Sequence, residues 1–120
     1  MKSEPDIAPD SAAASRLLVD SVYTRPYNQQ VRFDWDPVKA DDNIKNHGVT
    51  FEEACEVFLD HNAWEAFDAF HSENEPRYIR IGLSSRRLLM TVFTETSGDL
   101  IWIITARRAT AKEKKLYEEG

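Results

Sequence analysis

Cysteine and long apolar runs are scarce in this chain of 120 residues, and each scarcity excludes a class of protein. With Cys55 as its only cysteine, the chain can form no internal disulfide, which fits a reducing cytoplasm. No apolar run reaches the roughly 18 residues of a membrane-spanning helix. The N-terminus carries acidic residues and no long apolar segment, which argues against a secretory signal. A chain of this length is most simply a single domain.

The chain also lacks a net positive charge, since its formal net charge is −6, but the two signs are unevenly distributed. Residues 33–76 contain 2 basic and 12 acidic residues, whereas residues 77–115 contain 9 basic and 3 acidic residues. A polyanion could bind the basic half. Alternatively, the two halves neutralise each other in the folded protein. The three histidines have no metal-ligand spacing, so the sequence predicts no metal site.

Residues 1–30 differ in composition from the remainder and are predicted to form an N-terminal arm. They are rich in Pro, Ser and Ala, so the arm is either unstructured or packed on a partner. The domain proper is predicted over residues 31–120. It opens with a short alternating strand, "VRFDW", followed by a helix from the N-cap Asp36 to the stop signal Gly48. A second helix begins at the capping box of Thr50 and Glu53.

Four strands and a final helix are predicted in the second half. The strands are residues 63–69, "RYIRIGLS", "RLLMTVFTE" and "LIWIIT", with a two-residue turn at Ser97-Gly98 between the last two. Thr110 and Glu113 form a second capping box that begins the final helix. The predicted class is α+β, a small antiparallel sheet packed on the two N-terminal helices with a C-terminal helix. The first strand joins this sheet by a longer return.

The motifs of this chain resemble the BrnT-type toxins when they are taken together and in order. "FDWDPVKADDNIKNHGVTFEEACEVF" is similar to the opening of that family, and "RYIRIGLS", "TVFTE" and "IWIITARRATAKEKKLYEE" match the rest, from about Phe33 to Glu119. The resemblance implies a RelE-like fold and a ribonuclease toxin of a type II toxin–antitoxin module that cleaves RNA without a metal or other cofactor. It also implies a BrnA-type ribbon-helix-helix antitoxin, through which the complex binds operator DNA. The chain departs from the family at Asn46, where a lysine usually precedes the histidine, and Lys45 lies one residue earlier.

Arg107 and Arg108 match the arginine step of the family and are predicted to hold the scissile phosphate. Arginine suits this task because its planar guanidinium makes paired hydrogen bonds to phosphate oxygens and stays charged. Neighbouring residues on a regular strand point to opposite faces. Both arginines can therefore face one cleft only if the strand ends or kinks near Ala106, and this is the expectation.

The remaining catalytic candidates are Arg77, His47 and Lys39. Arg77 matches a family arginine and either stabilises charge or simply pairs with Glu75. His47, in the last turn of the first helix, and Lys39, near its start, are the candidates for proton transfer. The residues predicted to contact RNA without a catalytic role are Lys45, Arg86, Arg87 and Lys112.

Several other polar side chains receive structural interpretations. His61 and His71 are expected to be ordinary surface residues, Arg80 to point outward, and Glu113 to act only in its capping box. Cys55 is predicted to be a buried thiol on the apolar stripe of the second helix. Two functional alternatives remain open, a non-catalytic toxin-fold partner of a repressor and a simple nucleic-acid-binding module. A homodimer is also left open.

Overall fold

A computed structural model describes residues 31–96 and 99–120 of the chain. The predicted arm of residues 1–30 and the predicted turn at Ser97-Gly98 lie outside these residues. The strands are β1 (Arg32–Trp35), β2 (Trp64–Phe67), β3 (Tyr78–Leu83), β4 (Leu88–Thr96) and β5 (Leu100–Arg108), and the helices are α1 (Pro37–His47), α2 (Phe51–Cys55) and α3 (Ala111–Glu119). Short 3-10 helices span Glu56–Leu59 and Ala69–His71.

The five strands form one sheet in the order β1-β5-β4-β3-β2. Strands β2 to β5 are an antiparallel meander, as the sequence predicts. Strand β5 carries one extra residue, Ile104, where it passes Val92 and Phe93 of β4. The prediction of a wholly antiparallel sheet is wrong for β1, which runs parallel to β5 from Arg32 opposite Leu100 to Trp35 opposite Ile103. Two helices and three strands separate β1 from β5, and this long connection allows the chain to return in the parallel sense.

The predicted helix signals are present at the ends of α1, α2 and α3. The side chain of Asp36 accepts a hydrogen bond from the backbone N–H of Val38, and Gly48 ends α1 with a positive φ of 69°. Thr50 accepts from the backbone N–H of Glu53 at the start of α2. At α3 both hydrogen bonds of the capping box form. The chain beyond α2 tightens into the Glu56–Leu59 3-10 helix, so the second helix is shorter than its apolar stripe suggests.

The main core lies between one face of the sheet and the helices α1 and α2. Phe58 is central to it, with its ring centroid 5.1 Å from that of Phe33 and 4.9 Å from that of Phe93. Such tilted and edge-on ring pairs add to the burial of apolar area. Cys55 is 1% exposed in this core, as predicted. The core side chains are Val31, Phe33, Trp35, Val49, Phe51, Ala54, Cys55, Val57, Phe58, Leu89, Phe93, Ile101, Ile103 and Ala106.

Arg80 belongs to this helix-covered face, so the prediction that it points outward is wrong. Its guanidinium lies 5.2 Å from the ring centroid of Phe58 and donates to the backbone carbonyls of Val57 and Asp60 and to the carboxylate of Glu65. The carbonyls at the end of the 3-10 helix need donors, and the long arginine side chain supplies them while its stem covers an aromatic ring.

Helix α3 lies against the other face of the sheet. Gly120, which follows it, contacts Trp64, and the hydroxyl of Tyr117 donates to the carboxylate of Asp60 over 2.8 Å. Burial and this hydrogen bond raise the pKa of Tyr117. No residue of α3 is fully buried, and its polar contacts to the rest of the domain include those of Glu113 with Arg107 and of Tyr117 with Asp60.

Candidate functional site

Basic residues from α1, the β3–β4 turn, β5 and α3 gather where β5 ends. The guanidinium of Arg87, in the turn between β3 and β4, donates to the carbonyl of Gly48 over 3.0 Å and so joins this turn to the C-terminus of α1. The backbone N–H of Ala109 donates to the carbonyl of Leu88 over 3.0 Å and joins the same turn to the end of β5. We call this region the basic end, and its residues are Lys45, His47, Arg86, Arg87, Arg108 and Lys112.

Asn43 attaches α1 to β5 at the basic end. Strand β1 stops opposite Ile103, and beyond that point the side chain of Asn43 occupies the edge of β5. Its carboxamide nitrogen donates to the carbonyls of Ala106 and Val49 over 2.7 and 2.9 Å, and its oxygen accepts from the N–H of Ala106 over 3.1 Å and the hydroxyl of Thr105 over 3.0 Å. Asn43 is 5% exposed, and all of its hydrogen-bonding capacity is used as a neighbouring strand would use it.

The structure separates Arg107 from Arg108, contrary to the prediction that both face one cleft. Strand β5 continues through Arg108, with Arg107 opposite Met90 and Arg108 opposite Leu89 on β4. Adjacent residues of a paired strand point to opposite faces. Arg108 therefore lies on the α1 and α2 side, and Arg107 lies on the side of α3. The pairing with β4 persists to the last residue of the strand, and no kink at Ala106 turns the two side chains together.

Arg107 is held by Glu113 of α3. Its guanidinium makes two hydrogen bonds of 2.9 and 2.8 Å to the two carboxylate oxygens. Burial, the largest influence on the pKa of Glu113, raises it, but the hydrogen bonds from Arg107 and Thr110 together hold this pKa below its ordinary value. Glu113 therefore forms the predicted capping box, but its role extends beyond the cap because it also binds Arg107. Arg108 is exposed, and its side chain makes no hydrogen bond or ion pair with the described residues.

Arg87 is also engaged within the protein, although the sequence predicts that it contacts RNA. It forms hydrogen bonds of 3.0 and 2.9 Å to the carboxylate of Glu53, which is 7% exposed. The hydrogen bond from Arg87 is the main reason that the pKa of Glu53 is lowered, and the hydroxyl of Ser84 acts in the same direction. Of the predicted capping box, the hydrogen bond from the Glu53 N–H to Thr50 forms. The carboxylate of Glu53 instead connects α2 to the β3–β4 turn through Ser84 and Arg87.

The other predicted candidates are exposed. Within residues 31–96 and 99–120 their side chains make no hydrogen bond or ion pair, and they are Lys39, Lys45, His47, Arg86 and Lys112. Eight residues separate Lys39 from His47, which places them roughly 12 Å apart along α1. Only His47 therefore adjoins the basic end. The side chains free to contact an anion at this end are Lys45, His47, Arg86, Arg108 and Lys112.

Arg77 lies at the opposite end of the sheet. It precedes Tyr78, which is opposite Phe93, whereas Arg108 is opposite Leu89. Five positions along the strands correspond to roughly 17 Å, so Arg77 and Arg108 cannot bind one phosphate. Its contact with Glu75 is a long 3.5 Å, so the ion pair left open by the sequence exists but is loose.

The sequence interpretation missed the partner of His71. The ring nitrogen Nδ1 of His71 lies 2.9 Å from a carboxylate oxygen of Asp68, and Asp68 is 9% exposed. Both residues belong to one turn of 3-10 helix, in which residues three apart lie on one side. The D-x-x-H spacing at the end of a strand is the signal that could have indicated this pair. No group of three or more His, Cys, Asp or Glu in the described part of the chain is placed to hold a metal ion.

A family model described as "Ribonuclease toxin, BrnT, of type II toxin-antitoxin system" matches residues 35–113. The chain therefore belongs to the BrnT family of ribonuclease toxins. Among solved structures, the crystal structure of the ribonuclease toxin BrnT of Brucella abortus is similar, with a TM-score of 0.51 and 22% sequence identity. That match covers 65% of this chain and 95% of the Brucella chain, and at this identity it shows a common fold. No curated protein matches the sequence. None of the described helices is long and apolar enough to cross a membrane.

Proposed function

We propose that this chain is an endoribonuclease toxin that cleaves RNA without a metal ion and is neutralised by a partner antitoxin. The observation that carries the proposal is the match of residues 35–113 to a family of ribonuclease toxins. The basic end supports it, because an acidic protein gathers unpaired cations there from four separate segments. RNA presents one phosphate charge per nucleotide, and such clusters bind it electrostatically.

Arg108 is the arginine of the basic end best suited to an RNA phosphate. Its neighbour Arg107 and the nearby Arg87 are both bonded to carboxylates, whereas Arg108 is exposed and unpaired within the described residues. A guanidinium that breaks no ion pair on binding offers its full charge to the ligand. His47 is the proton-transfer candidate that adjoins this end, and Lys39 is more distant.

The partner proposed from the resemblance is a BrnA-like antitoxin with a ribbon-helix-helix part. An acidic segment of that protein would cover the basic end in place of RNA. Binding to operator DNA would then occur through the antitoxin alone. We also propose that the fold is of the RelE type. A mobility-shift assay with operator DNA, with and without the antitoxin, tests whether DNA binding depends on the antitoxin. A shift of the DNA by the toxin alone would contradict this proposal.

The activity is tested by incubating the purified full chain with RNA in excess EDTA. We expect cleavage to persist in EDTA and to fall about 10- to 100-fold in Arg108→Ala, because one charge-assisted phosphate contact is lost. Arg32→Ala is the matched control, since Arg32 is an exposed arginine at the other end of the sheet. Cleavage abolished by EDTA, or equal losses in the two variants, would contradict the proposal.

A second candidate function is RNA or antitoxin binding without cleavage. It is favoured by the ion pairs of Arg107 with Glu113 and of Arg87 with Glu53, because these two arginines are then not free to bind RNA phosphates as predicted. The same assay separates the two functions. Tight, strongly salt-dependent RNA binding without cleavage supports a nucleic-acid-binding module. Absence of growth arrest on overexpression, together with antitoxin binding, supports a non-catalytic partner.

A further inference from the structure

A cleft of about 210 Å³ opens beside the loop that joins β2 to β3, at the end of the sheet away from the basic end. Its lining contains a histidine, an arginine and an exposed aromatic ring, and the full set is Phe70, His71, Glu73, Asn74, Glu75 and Arg77. These are side chains that can transfer a proton, bind a phosphate and stack on a base.

The loop around the cleft is fixed by hydrogen bonds to its own backbone. The N–H of Asp68 donates to the carbonyl of Arg77 over 2.8 Å, which closes the loop at its base. The hydroxyl of Ser72 accepts from the N–H of Arg77 over 2.9 Å and donates to the carbonyl of Asp68. His71 and Arg77 are therefore held on either side of the same short closed loop.

Asp68 determines which ring nitrogen of His71 is available. The carboxylate accepts from Nδ1 of His71 with one oxygen and from the N–H of Phe70 over 3.2 Å with the other. An ionised carboxylate only accepts hydrogen bonds, so Nδ1 carries a proton and Nε2 of the neutral ring is an acceptor. A buried carboxylate that orients an imidazole in this way prepares it as a general base.

On the opposite side of this loop, the guanidinium of Arg77 lacks some of its hydrogen-bond partners. Among the described residues, its buried Nε has no hydrogen-bond partner and its only ion pair is the 3.5 Å contact with Glu75. A buried donor without a partner is unfavourable, and a small shift of the side chain would be needed for a bound anion to reach this nitrogen. The guanidinium fork is the group that binds phosphate oxygens in pairs.

We infer that this cleft is the place where RNA is cleaved, with His71 as general base, Asp68 as its positioning residue and Arg77 as the phosphate ligand. The inference rests on the proposed ribonuclease activity and assigns its chemistry to this end of the sheet instead of to His47. The 2′-hydroxyl gives its proton to Nε2 of His71 while its oxygen bonds to phosphorus. The bond from phosphorus to the 5′-oxygen breaks, and that oxygen takes a proton from water. The resulting hydroxide takes the proton from Nε2 of His71 and so returns the histidine to its starting state. The products are a 2′,3′-cyclic phosphate and a 5′-hydroxyl end.

Two carboxylates, Glu73 and Glu75, share the cleft with His71 and Arg77. They oppose the RNA phosphates, so most of the affinity for RNA comes from the basic end roughly 17 Å away. Phe70 is 88% exposed beside His71 and offers a face for an unstacked base. We expect Phe70→Ala to raise KM about tenfold with little change in kcat, because a stacking contact binds substrate without touching the reacting atoms.

The central experiment measures kcat and KM of the full chain on a single-stranded RNA oligonucleotide in EDTA. We expect His71→Ala to lower kcat at least about 100-fold, with KM changed less than about threefold. Added imidazole should restore part of the rate, which a purely structural role of His71 would not allow. His61→Ala, which removes an exposed histidine from another loop, is the matched control and should leave both constants unchanged.

Arg77→Lys provides a test that keeps the charge while it removes the paired hydrogen bonds. We expect it to lose at least tenfold in kcat, and the products of the wild type to end in 2′,3′-cyclic phosphate. If the wild type cleaves RNA but His71→Ala and Arg77→Lys cleave within about threefold of it, the cleft is not the catalytic site and the proposed function stands. If His47→Ala abolishes cleavage while the two cleft variants remain active, RNA is cleaved at the basic end. A wild type that cleaves no RNA overturns both proposals.

Discussion

Replacing Asn43 by alanine would remove the side chain that completes the edge of β5. Four hydrogen bonds disappear with it, two to Ala106 and one each to Val49 and Thr105. At a net value of about 1 kcal/mol each, they contribute about 4 kcal/mol to stability. The side-chain entropy that Asn43 regains on unfolding offsets about 1 kcal/mol. We therefore expect Asn43→Ala to lower the free energy of unfolding by about 3 kcal/mol and Tm by roughly 12–24 °C.

Urea unfolding followed by circular dichroism measures this loss by linear extrapolation. Asn46→Ala is the matched control, because Asn46 lies on the same helix but is exposed, and it should change stability by less than about 0.5 kcal/mol. Asn43→Asp keeps the acceptor for Ala106 but loses both donors, so it should be no more stable than Asn43→Ala at neutral pH. If Asn43→Ala costs less than about 1 kcal/mol, the reasoning that Asn43 replaces a neighbouring strand is wrong.

Three further predictions concern ion pairs and the buried thiol. Arg87→Ala should lower the free energy of unfolding by about 3 kcal/mol in urea, because it leaves Glu53 buried without its guanidinium, whereas Arg86→Ala should cost less than about 0.5 kcal/mol; equal losses would contradict this. The folded-state pKa of Glu113 is lowered, so its contribution to stability is present above the pKa of an unfolded glutamate and is lost as the pH falls through the folded pKa. Glu113→Gln, which can still cap, should therefore be less stable than the wild type near about pH 7 and equally stable near about pH 2. Cys55 should react with a thiol reagent in urea but very slowly in buffer, and rapid reaction in buffer would show that the core opens.

The helix ends could be predicted because their chemistry is local. Asp36 is followed directly by Pro37, and Gly48 follows the last helical residue. A cap depends on a few consecutive residues, so no knowledge of the rest of the fold is needed to recognise it. The parallel pairing of β1 with β5 joins residues almost seventy positions apart, and no local signal in either strand specifies its direction.

The candidate site was predicted only in part, because the directions of its side chains depend on pairing. Arg107 and Arg108 were correctly associated with the end of β5, but the strand pairs with β4 through Leu89 and so separates them. The sequence gives no measure of how far a strand continues before a cap. The engagement of Arg87 was also missed, since its partner Glu53 lies 34 positions earlier and already had a local explanation as a capping residue.

The pairing of His71 with Asp68 could not be predicted from the sequence for a different reason. Both residues are polar and lie near a polar loop, so composition alone indicates an ordinary surface. Asp68 is 9% exposed in the folded chain, where Ser72 and Arg77 close the loop around it by hydrogen bonds. Spacing by three residues suggests a common side only when the intervening turn is known to be helical.

The parallel pairing of β1 with β5 has a consequence for the synthesis of this protein. The ribosome synthesises β1 before β5. Phe33 and Trp35 therefore cannot complete the main core until Ile101 and Ile103 have been synthesised. Contacts so distant in the chain form late and slowly. A nascent chain that has not yet released β5 therefore also lacks the anchoring of Asn43 and the position of Arg108. Any growth-inhibiting activity of this molecule must therefore begin after β5 has left the ribosome.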